Sequence, residues 1–318
     1  MGRSEFSAAR LLMKLLCLLL AVVLALMVGL TGYMMRTVPK GALASSGMAE
    51  EPVLSLLTQT GTQARVVNIL LVGQDRREGE EGNRSDSMIL CSFNRRDKKL
   101  VMTSFLRDLY VPIPGCGSNR INAAYAIGGT ELLVRTLEEN FAITVDGCVQ
   151  VDFGQFSGIL DRLGGVKLEL RQDEAAEINR ILGSSLQAGP QTLNGEQALT
   201  YARIRKLDAD GDFSRTDRQR KVLGAVWDTY KDSSLPTLVR TLGSLLPMIE
   251  TDMGSGELLS TAVGIFPYLA EADTVSMRIP EADYCTDRMI DGMAVLEADM
   301  ETARERLHRQ LYGTPDPE

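Results

Sequence analysis

From Leu15 to Met35 the chain runs without a charged side chain or a proline. A helix of that length crosses a hydrocarbon core of about 30 Å. Arg3, Arg10 and Lys14 precede it, so the positive-inside bias keeps residues 1–14 as a cytoplasmic tail and exports everything after Arg36. A cleaved leader has a shorter apolar region, about 7–15 residues, before its small-residue site. Ala42-Leu43-Ala44 fits such a site, but the run before it is too long. The chain is therefore expected to be a single-pass membrane protein with an uncleaved anchor at 15–35. An extracellular linker, 36–64, is rich in Gly, Ser, Thr and Pro; a domain at 65–312 with a C-terminal helical layer and a tail at 313–318 complete it.

Within the exported part, short apolar runs alternate with amphipathic stretches. Val66–Val72, bounded by Gly73, reads as a buried strand. Ser87–Phe93 and Leu100–Phe105 read as two more, joined by the polar turn Asn94–Lys99. Glu131–Phe141 and Phe153–Leu163 have helical spacing, and Cys148–Asp152 and Val166–Leu170 are strand-like. Asn194 is a candidate cap for a helix over Gly195–Ala202. Thr216–Tyr230, Thr237–Leu246 and Ser255–Ala270 are expected helices, Thr274–Ile279 a strand, and Gly292–Leu311 a closing helix. This order predicts an α/β fold: a central, mostly mixed β-sheet sandwiched by helices.

Residue usage removes several chemistries. The single histidine, His308, lies on an expected surface helix, which excludes Ser–His–Asp and Cys–His hydrolysis and most zinc sites. Cys116, Cys148 and Cys285 face an exterior where disulfides persist. Cys116–Cys148 is the expected pair, with the pairings to Cys285, or no bridge, left open. A sequence pI near 5.0 and no basic face argue against nucleic acid.

In a chain of net charge -8, the stretch Tyr201–Lys221 (YARIRKLDADGDFSRTDRQRK) concentrates arginine. A guanidinium presents a planar fork that matches phosphate oxygens two at a time. Arg203 and Arg205, two apart, would share one side of an extended segment. Arg215, Arg218 and Gln219 would share one face of a helix. The interleaved Asp208, Asp210, Asp212 and Asp217 allow a second reading, a salt-bridged surface. Other charged residues stand where strands end: Asp75 after the first strand, Arg84 and Asp86 at the second, Arg107-Asp108 after the third, and Arg120 beyond. Together they supply carboxylates for a hard cation and guanidiniums for a pyrophosphate.

The segments NILLVGQDRR, NRSDSMIL, FLRDLYVPIPG, INAAYAIGG, QVDFGQFSGILDRLGGV, LNGEQALTYARIR and DFSRTDRQRKVL, spread over about Asn68 to Leu223, resemble the LytR-CpsA-Psr family of Gram-positive cell-envelope proteins. The resemblance implies a phosphotransferase that moves an anionic glycopolymer, such as teichoic acid or capsule, from a polyprenyl-pyrophosphate carrier onto peptidoglycan. The bond formed is a phosphodiester, typically on the 6-hydroxyl of N-acetylmuramic acid. Carried over by residue, the family's metal carboxylates fall on Asp75 and Asp86, for Mg²⁺ or Mn²⁺. Its pyrophosphate-binding residues fall on Arg84, Arg107, Arg203, Arg205, Arg215 and Gln219. Arg107 and Asp108 are the candidate catalytic pair, Asp108 either orienting Arg107 or taking the proton of the incoming hydroxyl. Arg218 shares the motif, with direct contact left open. Leu106 stands where the family often has Pro, and Arg120 where it often has Lys. The resemblance also implies an apolar slot for the prenyl chain along Phe153–Leu163, Leu193–Ala202 and Val222–Trp227, segments that could equally form the core. Two other functions use the same residues: a polyprenyl-pyrophosphate pyrophosphatase, and a non-catalytic envelope regulator or scaffold.

Overall fold

The computed structural model describes residues 66–74, 85–208 and 211–313, and the side chain of Asp86 is not among what it describes. The expected tail, anchor and linker, together with Asp75 and Arg84, lie outside these residues. Among the described residues no helix is long and apolar enough to cross a membrane.

Three strands open the domain as an antiparallel meander: β1 (Val66–Gln74), β2 (Ser85–Asn94) and β3 (Lys99–Phe105). A small hairpin, β4 (Tyr110–Ile113) and β5 (Gly117–Arg120), leads into α1 (Ile121–Phe141). The chain returns as β6 (Gly147–Asp152), parallel to β1, and continues into α2 (Phe153–Arg162). Next come β7 (Val166–Leu170), α3 (Gln172–Leu182), β8 (Gly189–Leu193), α4 (Gly195–Arg203) and α5 (Asp212–Tyr230). After α6 (Leu235–Leu245), β9 (Glu250–Thr251) and α7 (Ser255–Ile265), β10 (Asp273–Ile279) pairs in parallel with β3. The hairpin β11 (Cys285–Ile290) and β12 (Met293–Ala298) precedes α8 (Met300–Tyr312). The main sheet has the mixed order β10-β3-β2-β1-β6-β9.

The two faces of that sheet are filled differently. Leu70, Val72, Met88, Leu90 and Cys148 face a closed layer of α1 and α8, including Leu133, Leu137, Leu307 and Leu311, all in one buried cluster. Phe105 and Phe141 pack there with ring centroids 4.9 Å apart. On the opposite face Ile89, Phe93, Leu100 and Met102 meet Leu223, Trp227, Ile265 and Tyr268. That layer is looser: α6 and α7 are strongly apolar yet hold no fully buried residue.

Several expectations need correction. The helix expected from Glu131 begins ten residues earlier in the element Ile121–Phe141, which breaks at Gly128-Gly129, where Gly129 takes φ 64°. The helix expected over Gly292–Leu311 is instead a hairpin followed by a shorter helix. Asp291 and Gly292 take φ 51° and 76°, the mirror-image turn whose twist suits paired strands, and Asp299 caps α8 by accepting from the Thr302 amide at 3.1 Å. The helix expected to reach Ala270 ends at Ile265 and passes into a 3₁₀ turn, Phe266–Glu271, around Pro267, which has no amide hydrogen to give. His308 is half-buried, not a surface residue: its Nε2 lies 2.8 Å from the Phe141 carbonyl, closing the end of α1 with Arg304. The Cys116–Cys148 bridge is absent, since both carry free thiols. Cys148 is wholly buried under α1, whereas Cys116 sits exposed in the β4–β5 turn. Burial pushes the Cys148 thiol up to about 12, with Asp252 adding to it.

Candidate active site

Arg107 follows β3 at the end of the sheet where α5 begins. Its loop is held by backbone on both sides: the Leu106 amide donates to the Ile279 carbonyl of β10 (2.8 Å), and the Leu296 amide of β12 donates to the Asp108 carbonyl (2.8 Å). Leu109 also bridges to Leu296. The Asp108 carboxylate accepts from Arg120 Nη1 at 3.0 Å and from Arg107 Nε at 3.4 Å, so its two oxygens hold two guanidiniums.

The centre of the arrangement is Asp212, in the first turn of α5. Its Oδ2 lies 3.1 Å from Arg107 Nε and 3.5 Å from Arg215 Nη2, and its Oδ1 lies 3.5 Å from Arg205 Nε. Three cations from a strand end, a loop and a helix thus converge on one carboxylate. Arg215 is nearly buried, while the side chains of Arg107, Arg205 and Asp212 remain partly open to solvent. Sequence reasoning treated Asp212 only as a screening charge; its place at a helix start, three residues before Arg215, was the available signal.

One predicted grouping does not form, and another forms with its side chains divided among different partners. Arg203 and Arg205 do not share one side of an extended segment, because the Asn194–Gln197 capping box starts α4 and the helix runs through Arg203. The Arg203 guanidinium lies over the Phe153 ring, 4.5 Å from its centroid, while Arg205 turns to Asp212. On α5 the helical spacing holds, with Arg215 meeting Asp212 and Gln219 accepting from the Ser87 hydroxyl at 3.0 Å, but Arg218 has other partners. It donates to Glu174 (2.9 Å), to the Ile204 carbonyl (3.3 Å) and to Asp208. Glu174 is only 1% exposed, and Asp208 also accepts from Arg171 at 3.0 Å. Burial pulls the Arg218 guanidinium down, and its bonds to Asp208 and Glu174 more than offset that; Arg218 in turn holds the Asp208 carboxyl below its usual range.

At the neighbouring strand ends, buried Gln74 donates to Tyr125 (2.5 Å) and Gln150 (2.9 Å), and Tyr125 donates to Gln150 (2.8 Å). The β1–β2 register shifts after Gly73 so that Gln74 pairs with Ser85. The strand position of Asp86 therefore adjoins the end of β1, and Asp75 is the next residue in sequence. The side chains of both expected metal carboxylates, Asp75 and Asp86, lie outside what is described. Among the described residues no group of three His, Cys, Asp or Glu side chains could hold a metal by itself.

The segments expected to line a prenyl slot fall in two different layers. Leu193, Ala198, Tyr201 and Ala202 belong to a closed core with α3 and β7, so Leu193–Ala202 is packing, and Leu160 and Val222 join them. Leu223 and Trp227 lie instead against the looser sheet face, near Leu71 and Cys91.

A model of the LytR_cpsA_psr family matches residues 40–310. Over 231 residues the chain is 38% identical to the polyisoprenyl-teichoic acid–peptidoglycan teichoic acid transferase TagT of Bacillus subtilis (strain 168), covering 68% of each protein. A structure of TagT bound to LIIa-WTA superposes with TM-score 0.63 and 31% identity, over 78% of this chain and 91% of that one. A structure of the LytR-CPS2A-psr family protein YwtF (TagT) with bound octaprenyl pyrophosphate lipid superposes with TM-score 0.59 and 28% identity, over 78% and 90%.

Proposed function

Because the chain belongs to the LytR-CpsA-Psr family, we propose that it transfers a glycopolymer from a polyprenyl-pyrophosphate carrier onto peptidoglycan as a phosphodiester, on the outer face of a membrane that residues 15–35 cross. The observation that carries this reading is the convergence of Arg107, Arg205 and Arg215 on the single carboxylate of Asp212. Guanidiniums gathered at one end of the sheet present paired donors that suit a diphosphate. The relatives named above as teichoic acid transferase, and their complexes with lipid-linked ligands, support the choice of substrate class.

In this reading the acceptor hydroxyl oxygen attacks the phosphorus joined to the polymer. The bond from that phosphorus to the bridging oxygen breaks, polyprenyl phosphate leaves with the electron pair, and the hydroxyl proton passes to the departing phosphate or to solvent. Arg205 and Arg215 bind the charge that grows on the leaving phosphate, so they lower the barrier more than they tighten the ground state. Asp108, with both oxygens on guanidiniums, holds Arg107 and Arg120 in place. Arg84 and Arg203 extend the cradle, and Gln219 is fixed by Ser87. Asp75 and Asp86 would hold Mg²⁺ or Mn²⁺, which when bound neutralises charge on the diphosphate. The prenyl chain is assigned to the loose layer between the sheet face of Leu71 and Ile89 and the apolar helices α6 and α7.

Reconstitution with a synthetic lipid-linked pyrophosphate donor and peptidoglycan fragments tests the reading. A covalent polymer–peptidoglycan product, lost in a folded Asp75→Ala protein, is expected. Release of free polymer phosphate with no covalent product would instead identify a pyrophosphatase.

A further inference from the structure

Beyond the matched motif, β10 carries an arginine into the neighbourhood of the cradle. Arg278 pairs in register with Ser104 of β3, and its guanidinium lies 4.7 Å from the ring centroid of Phe213, the residue after Asp212. Its Nη1 reaches the Asp217 carboxylate at 3.3 and 3.5 Å, long for a charge-assisted bond. The same carboxylate accepts from Arg220, whose other nitrogen donates to Ser104 Oγ at 2.5 Å. Arg220 is 5% exposed, and its Nε has no hydrogen-bond partner among the described residues. Two guanidiniums therefore share one carboxylate, and one of the two is buried. An unmatched buried charge is costly. Burial pushes Arg220 down to about 10, and Arg278 adds to that. Asp217 and Arg278 stay open to solvent at 43% and 24% of their side chains, so an anion can reach them.

We propose that Arg278, backed by the buried charge of Arg220, forms a second anion subsite beside the Arg107–Arg205–Arg215 cradle and takes a phosphodiester of the transferred polymer. The proposal rests on the phosphotransfer reading and names the residue that would tell phosphate-bearing polymers from uncharged ones. Asp212 and Phe213 are consecutive, so the two cationic groups adjoin along the first turn of α5. A polymer phosphodiester following the pyrophosphate presents its charge next to the first group. Asp217 competes with that phosphate for Arg278 and keeps the pair neutralised in part until the polymer arrives.

Two donors separate the sources of phosphate: one bears only the pyrophosphate and a sugar, the other adds a glycerol phosphodiester. Steady-state kinetics would be measured for the full-length wild-type, Arg278→Gln and Asp217→Asn proteins. Arg278→Gln is expected to raise KM for the phosphodiester donor roughly tenfold, the loss of one charged hydrogen-bonding group, and to leave the simpler donor unchanged. Asp217→Asn, which removes the competitor, is expected to lower KM for the phosphodiester donor severalfold. A loss of packing alone would not produce these opposite signs. Equal changes with both donors, no change with either, or weaker use of the phosphodiester donor by Asp217→Asn overturns the subsite. Calorimetric titration of both donors reads the same pattern without turnover. Failure of the wild-type protein to process either donor therefore counts against the transfer reading, while the titration still decides the subsite.

Discussion

Helix α5 carries two arginine–carboxylate clusters within about two turns of each other, and they differ in partners and in burial. Around Arg218 the charges are matched and sealed: Glu174 and Asp208 face one guanidinium, with the Ile204 carbonyl as a third acceptor. Around Asp212 the count reverses, with three guanidiniums on one acid and most of them open to solvent. A sealed, balanced cluster ties segments together, and here it fixes residues 204–208, on which Arg205 rides. An open cluster of guanidiniums is reachable by an anion. Arginines and acids build both; partners and burial separate scaffold from site.

Breaking the sealed cluster should have the largest effect. Arg218→Ala leaves Glu174 buried without its cation, a loss of about 3–5 kcal/mol. Thermal unfolding should show Tm falling by roughly 10 °C. An unchanged Tm would mean that Arg218 is not structural. Removing an arm of the open cluster should do the reverse. Arg205→Ala is expected to lower kcat roughly a hundredfold with Tm held within about 2 °C, and Arg205→Lys to recover only part, since it keeps charge without the fork. Full activity in the Lys variant would remove bidentate geometry from the account.

Acid should act on the sealed cluster next. Asp208 titrates below its usual range when folded, mainly through Arg218, so its contribution is present above about pH 4 and is lost as pH falls through the folded value. The stability gap between wild type and Asp208→Asn, followed by thermal melts, should therefore be full at pH 7 and narrow below about pH 4. The smallest effect is expected at the rim. Arg171 bonds Asp208 from a half-exposed position, and Arg171→Ala should cost under about 1 kcal/mol in denaturant unfolding. A larger cost would extend the sealed cluster to the surface.

The sequence reveals where chemistry is gathered better than which groups touch. β1, β2 and β3 were readable because their apolar runs are bounded by polar turns, and α4 because Asn194 and Gln197 form a cap visible as letters. α3 escaped because it is polar on most sides and buries only Glu174, Ala175 and Ile178. β8 escaped because its run, GPQTL, carries Gly and Pro and is mostly half-exposed. At the site, the positions of the arginines were legible and their partners were not. Asp212 enters the site because α5 starts there rather than at Thr216, while Arg218 finds Glu174, which is distant in sequence. Arg278 gave no signal, since nothing local marks a strand residue that reaches a helix from a distant part of the chain.

The two backbone bonds that hold the Arg107 loop, to the Ile279 carbonyl and from the Leu296 amide, involve a part of the chain that carries none of the motif residues. Variation in length should therefore be unevenly tolerated among homologous chains. The stretch through α6 and α7 touches the sheet at β9, away from the Arg107 loop, so a change of length there leaves both supports in place. Between β10 and β12, an insertion would slide one support of the loop past the other and displace Arg107 without altering a single conserved letter. A homologue that keeps every motif yet changes the spacing from Ile279 to Leu296 would be expected to have drifted away from this chemistry.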